Sequence, residues 1–376
     1  MSTTALSLDP ALLRARLDKA RAAAAAAGVD ALVIAPGTDL AYLLGATGQS
    51  FERLSCLVVT AGEAVLVVPK LEAPGYAAAP TEALGVRVAT WVDGEDPYAL
   101  VAGLLGDAGQ VAVGDVLPAL HVLALRDALP AARQVLAGPV IGELRMRKDA
   151  AEVDALHKAG AAIDRVHARM GEWLRAGRTE REVGADIAAA IVEEGHVAAE
   201  FVIVGSGPNG ASPHHDLSDR VIEAGDVVVV DIGGPIAEGY NSDSTRTYAV
   251  GEPRDADVRE TYAVLQRAQR AAVDFIRPGV TAEQVDAVGR EIIAEAGFGE
   301  FFIHRTGHGI GLDVHEHPYI VAGNPLVLEE GMAFSVEPGI YQPGRWGARI
   351  EDIVVVTADG VEPVNTRPHD LVVFPA

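Results

Sequence analysis

The stretch from His304 to Glu351, opening HRTGHGIGLDVHEH and closing GARIE, gathers many metal-competent groups in a short span of this 376-residue chain. His308 lies between two glycines, Glu337 precedes a Pro-Gly turn, and Glu351 ends a short run that also carries Arg349. A carboxylate at the end of an apolar strand is held by rigid backbone, as a metal ligand must be. Hard oxygens with one imidazole nitrogen suit Mn, Co, Fe or Zn better than Cu or an iron–sulfur cluster. An earlier stretch, VVVVDIGGPIAEGYNSDSTRTYAVG at 227–251, supplies more oxygen ligands. Asp231 follows four valines, which places it where a buried strand stops, beside a glycine pair that permits close approach. Asp243 follows Asp231 by 12 residues across a turn containing Gly239, and Glu351 follows Glu337 by 14 across another glycine-containing turn. Each pair reads as two neighbouring strands carrying one carboxylate each. Four carboxylates balance two divalent ions, so the expectation is a two-metal site with ions roughly 3.5–4 Å apart.

The elements that must hold these groups follow from capping and periodicity. Residues 148–177 and 179–195 read as a helix pair, the second capped by Thr179 and stopped at Gly195; residues 256–276 and 281–297 read as another, with Thr281 as cap and Gly297 as stop. Each pair precedes strands that deliver two carboxylates, which implies an old duplication with the metals between its halves. Before it, a helix at 9–28 opens on Asp9 and Pro10 and closes at Gly28. The apolar runs DALVIAP, CLVVT, AVLVVP, VRVATW and VAVG then alternate with helical stretches near 38–45, 70–79, 96–106 and 117–129. That alternation predicts an α/β domain over residues 1–139. A second domain is expected over 140–376, the change falling where AGPVIG gives way to a charged helical start.

Composition narrows the function classes. A formal charge of −23 disfavours nucleic acid and anionic lipid as partners, since phosphate binding needs clustered Lys and Arg. No Gly-x-Gly-x-x-Gly follows a strand in the N-terminal part, so dinucleotide binding has no support. One cysteine, Cys56, excludes an internal disulfide and suits a reducing compartment; its run SCLVVT marks it as a core residue. The N-terminus lacks a signal-peptide pattern, and no segment approaches the ~20 apolar residues of a membrane span. The expectation is a soluble cytoplasmic protein.

The motifs resemble those of the pita-bread metallopeptidases: Xaa-Pro aminopeptidases, Xaa-Pro dipeptidases (prolidases) and methionine aminopeptidases. Asp-Ile-Gly-Gly, Ser-Asp-Ser-Thr-Arg-Thr, Thr-Gly-His-Gly-Ile-Gly, Val-Glu-Pro-Gly and Arg-Ile-Glu-Asp occur in the family's order. The resemblance implies an α+β pita-bread fold with pseudo-two-fold halves over 140–376, and a creatinase-like α/β domain before it. It implies that Asp231, Asp243, His308, Glu337 and Glu351 are the metal ligands. Asp243 and Glu351 would contact both ions, Asp231 one, and His308 with Glu337 the other. The full ligand set argues against the metal-free members of the fold, such as creatinase and chromatin-associated scaffold proteins. Mn is the first choice of metal, ahead of Co, Zn or Fe, and a homodimer is expected.

By the same resemblance His214 bonds the substrate at the scissile bond, His315 faces the substrate carbonyl, and His304 stands at the proline pocket. Two ions sharing a water would give a bridging hydroxide that attacks the carbonyl before proline. Glu337 would take its proton and pass it to the departing nitrogen. Arg349 precedes Glu351 by two, so both face one way on a strand. Its guanidinium would steady a ligand carboxylate or hold a substrate carboxylate bidentately, the bland alternative being a strand-edge salt bridge. Tyr240, Thr245 and Arg246 should hydrogen-bond around Asp243. Tyr341 and Arg345 either line the pocket or face solvent. His215 is a loop or supporting residue and His317 has no assigned role; His121, His157, His167, His196 and His369 read as ordinary helix, loop or surface positions. Chain length near that of bacterial prolidases favours an Xaa-Pro dipeptidase acting on a small peptide with proline second. The alternatives are an Xaa-Pro aminopeptidase acting on longer peptides and a non-peptidase hydrolase or lyase.

Overall fold

Asp9 accepts a hydrogen bond from the Ala11 amide, and Pro10, which has no amide to leave unpaired, occupies the first helical position. The first helix, Pro10–Ala26, starts there as expected. The computed structural model describes Leu6, residues 8–48 and residues 52–376. The chain divides into two compact units, Met1–Arg145 and Met146–Ala376.

In the first unit the expected strands form as β1 (Ala31–Ile34), β2 (Cys56–Thr60), β3 (Ala64–Pro69), β4 (Val86–Trp91) and β5 (Gln110–Val113). The sequence does not announce the sixth, β6 (Arg133–Leu136), because it is an edge strand with none of its four residues buried. The sheet order is β4-β3-β2-β1-β5-β6, mixed parallel and antiparallel. Val33, Val58, Val65 and Val111 pack its interior with Cys56, whose thiol burial pushes up to about 12, so this sulfur is a core atom rather than a nucleophile. The helix expected at 70–79 shrinks to a 3-10 turn at Ala73–Tyr76, because Pro74 and Pro80 interrupt the backbone ladder.

The second unit contains helices Ala150–Ala168, Glu180–Glu193, Val258–Phe275 and Ala282–Glu295. The first ends nine residues before the expected 177, short of Gly171, which lies against the Phe374 ring. The two halves repeat one local plan. Thr179 and Thr281 each form a full capping box, with Glu182 and Gln284 respectively. Each threonine also bridges to a strand-leading valine, Thr179 to Val221 and Thr281 to Val327. Those valines open Val-Ile-Glu-Ala-Gly and Val-Leu-Glu-Glu-Gly, ending at Gly225 and Gly331, both at positive φ. From those glycines the first expected carboxylate ligand of each half is equally distant: 231 − 225 = 6 and 337 − 331 = 6.

Strands β7 (Phe201–Ser206), β8 (Asp226–Pro235) and β9 (Asn241–Val250) follow the first helix pair. The second pair leads to β10 (Gly307–Gly309), β11 (Glu316–Ile320), β12 (Ala333–Val336), β13 (Gly339–Gln342), β14 (Trp346–Arg349), β15 (Asp352–Val356), β16 (Val361–Pro363) and β17 (Val372–Phe374). One sheet runs β17-β9-β8-β7 and the other β11-β10-β12-β15-β16, with β13-β14 as a separate hairpin. This is the expected α/β unit followed by an α+β unit of two similar halves. Asp231 lies inside β8 rather than at its end, since the strand continues to Pro235. The glycine pair permits this: a Cβ on Gly233 would overlap the Ser242 carbonyl oxygen. Asp243 pairs with Gly233, two positions from Asp231, so the two carboxylates share a face. In the other half Val336 pairs with Asp352, which sets Glu337 and Glu351 on adjacent strand ends. Among the described residues no helix is long and apolar enough to cross a membrane.

Candidate metal centre

Three overlapping triads converge on the face shared by the two halves: His308–Glu337–Glu351, Asp231–Asp243–Glu351 and Asp243–His308–His315. Within each, one ligand atom per residue lies within 4.8 Å of the others. His308 Nε2 is 3.2 Å from Glu337 Oε1 and 3.5 Å from Asp243 Oδ2. The five residues expected to be ligands therefore meet although 120 residues separate Asp231 from Glu351 (351 − 231 = 120).

Their chemistry is that of a cation site. Burial, with Glu351, Asp231 and Glu337 as neighbours, pushes Asp243 well above the usual carboxylate range. Burial beside Glu337 and Asp231 does the same to Glu351. Among the described residues Asp231 Oδ1 and Glu351 Oε1 are buried without a hydrogen-bond partner, and an orphaned buried oxygen costs about 1–3 kcal/mol. His308 donates its Nδ1–H to the Gly309 carbonyl at 3.1 Å, which aims the Nε2 lone pair at two carboxylates. That contact is repulsive until a cation stands between them. Four carboxylates with one imidazole fit divalent ions of the harder kind.

The surrounding groups fix the ligands. Arg349, 2% exposed, donates from Nη2 to Asp231 at 2.5 Å, from Nε to Thr245 at 3.0 Å and from Nη1 to Tyr341 at 2.8 Å. Thr245 in turn donates to Glu351 Oε2 at 2.7 Å. Arg246 clamps Asp352 and the Glu351 carbonyl, each at 2.7 Å. Tyr240 does not join this shell; its hydroxyl donates to Glu152 at 2.9 Å. Ser335, unremarked in the sequence, accepts from the His308 amide and donates to Glu337 Oε1 at 2.9 Å.

A cavity of about 970 Å³ opens over the five groups, with His214, His304 and His315 on its walls. The His315 ring stands 4.0 Å from that of His308, and burial, with the charges of His308 and Arg305, brings its pKa down to about 4. It is neutral at neutral pH. His304 donates from Nδ1 to the Arg305 carbonyl at 2.7 Å and accepts the Tyr341 hydroxyl at 2.8 Å. Tyr341 is thus buried behind the cavity rather than lining it or facing solvent. Arg345 lies outside, paired with Asp255 and Asp257.

His214 is exposed on the loop after β7, and its neighbour His215 anchors that loop. His215 Nε2 lies 2.8 Å from Glu180, a buried carboxylate that also accepts from the Ser206 amide and hydroxyl, Asn209 and Ser218. His121, His167 and His196 are buried, not surface residues. His167 bonds the Tyr248 hydroxyl and the Ser244 carbonyl, and His196 bonds Ser242, so both brace β9 from behind. For His167 the available signal was its place on the inward face of a helix; His196, past the end of the next helix, offered none. His157 and His369 are half-buried partners of Glu362 and Asp352, and His317 is exposed.

Residues 154–358 match the family described as metallopeptidase family M24, and residues 16–147 match the creatinase/prolidase N-terminal domain. The probable dipeptidase PepE of Mycobacterium tuberculosis H37Rv is 60% identical over 369 residues, 98% of each chain. The Xaa-Pro dipeptidase of Lactobacillus delbrueckii subsp. lactis is 39% identical, with 93% of this chain and 96% of that one aligned. The crystal structure of dipeptidase PepE from Mycobacterium ulcerans superposes with a TM-score of 0.95 at 60% identity, covering 98% of this chain and 100% of that one.

Proposed function

The chain belongs to metallopeptidase family M24, and from that premise we propose that it hydrolyses the bond before proline in small peptides, as an Xaa-Pro dipeptidase. The observation that carries the reading is the overlap of the triads, in which Asp243, His308 and Glu351 each belong to two ligand groups at once. Two divalent ions, Mn first, would be held by Asp231, Asp243, His308, Glu337 and Glu351. Such a pair supplies Lewis acidity and, from water, a nucleophile at neutral pH.

The remaining tasks fall to side chains. Neutral His315 donates an N–H to the substrate carbonyl oxygen as negative charge gathers there. Glu337 accepts a proton and returns it to the departing nitrogen, with Ser335 holding its Oε1 in place. A proline nitrogen carries no N–H, so selectivity comes from shape, with His304 and His214 framing the ring. Residues 140–376 carry this machinery behind a 1–139 domain, and the enzyme works as a homodimer. The likeness to a probable dipeptidase and to an Xaa-Pro dipeptidase supports the choice.

The test is a rate series on Xaa-Pro, Xaa-Pro-Xaa and Xaa-Ala after loading with Mn, Co or Zn, with metal content measured alongside. The dipeptide should be cleaved at least roughly 100-fold faster than the tripeptide, at two ions per chain. Exclusive cleavage of the tripeptide would replace this reading with an Xaa-Pro aminopeptidase.

A further inference from the structure

A dipeptide ending in proline brings a free carboxylate to within one residue of the scissile bond, and a chain of net charge −23 repels it. Some fixed cation must receive that group. Among the described residues lining the cavity the arginines are Arg305 and Arg349. Arg349 has no donor to spare: its Nε, Nη1 and Nη2 are placed on Thr245, Tyr341 and Asp231, and both Nη atoms also reach the Pro213 carbonyl at 3.4 Å. Arg345 is held outside the cavity by two aspartates.

Arg305 is in the opposite condition. Its guanidinium lies 4.5 Å from the centroid of the Tyr319 ring. A ring beneath the guanidinium supports its charge without accepting its N–H groups as a carboxylate would, and so leaves donors for a planar acceptor. Tyr319 is the register partner of His308 across β10 and β11, so the ring that carries Arg305 stands beside the ligand column.

We propose that Arg305 binds the free C-terminal carboxylate of the substrate and so makes this centre prefer dipeptides to longer chains. The assignment deepens the Xaa-Pro reading above and rests on it. A longer peptide, or a C-terminal amide, offers no charge to the guanidinium and leaves it, among the described residues, with the Tyr319 ring.

The experiment compares Xaa-Pro with Xaa-Pro-amide on the Mn-loaded full-length protein, for wild type, Arg305→Lys and Arg305→Ala. Steady-state kinetics are paired with calorimetric binding of proline and prolinamide. Wild type should prefer the acid, and Arg305→Ala should raise its KM roughly 10- to 100-fold with kcat changed far less, collapsing the acid-over-amide ratio to about one. Arg305→Lys, with the charge but not the planar fork, should fall between. Proline should lose affinity in the same order. A ratio that survives in Arg305→Ala, or equal losses on acid and amide, would overturn the assignment. If wild type cleaves no Xaa-Pro substrate, the parent reading fails instead, and the proline-against-prolinamide binding still decides whether Arg305 receives a carboxylate.

Discussion

Asp243 is 4% exposed and faces three further carboxylates, with Arg349 as the buried guanidinium among them. Replacing it by Asn removes one repelled charge while keeping shape. In chelator-treated protein Asp243→Asn should therefore be the more stable form, by about 1–2 kcal/mol, read as a higher Tm. With Mn present it should lose the metal-induced rise in Tm and at least roughly 10³-fold in kcat/KM. Equal destabilisation with and without chelator would show that the carboxylate is structural. The convergence of the five residues was legible in the chain because each stands in a motif whose neighbours betray its setting. Gly307 and Gly309 flank His308 where a Cβ would strike the Ser335 and His317 carbonyl oxygens. What surrounds them was less legible. Nothing local to Arg349 says that its donors end on Asp231, Thr245 and Tyr341, because those partners arrive from other strands.

The elements were legible where a cap announces them. Thr179 and Thr281 begin helices at the expected positions, and the valine-rich strands fall where the apolar runs lie. The sparsely buried β6 and the parallel wording of Val-Ile-Glu-Ala-Gly and Val-Leu-Glu-Glu-Gly carry weak signals, the second because little else in the halves is alike. Helix Ala150–Ala168 shows how packing gives a residue a role that its type does not announce. His167 on its inner face meets β9, where burial and the nearby Arg246 and Arg367 bring its pKa down from 6.5 to about 3. The folded protein keeps it neutral while the unfolded chain protonates it near pH 6.5. Between those values the unfolded chain binds the extra proton, so its contribution is full above about pH 6.5 and is lost as pH falls toward 3. His167→Gln keeps a neutral donor for the Ser244 carbonyl and cannot titrate. Denaturant melts across that range should show the variant's stability falling less steeply with acid, by up to about 1.4 kcal/mol per pH unit. Parallel curves for variant and wild type would refute the assignment.

At the scale of the second unit, each half brings two carboxylates to one seam, crossed by Thr245 to Glu351 and Arg246 to Asp352. Ions bound there join the halves, so chelation should lower Tm by about 5–10 °C, with the shift depending on ion concentration. Scanning calorimetry with and without EDTA, then with added Mn, measures it; a Tm indifferent to chelator and to Mn would contradict the metal's part in stability. Arg349 bears on what happens after chelation. Rooted in β14, it grips Asp231 and Thr245 of the first half and Tyr341 of the second through hydrogen bonds that need no metal. The guanidinium acts as a rivet, holding the socket to shape whether or not it is filled. Reloading would then be a matter of diffusion into a mould already cast, and activity should return on mixing without a refolding delay.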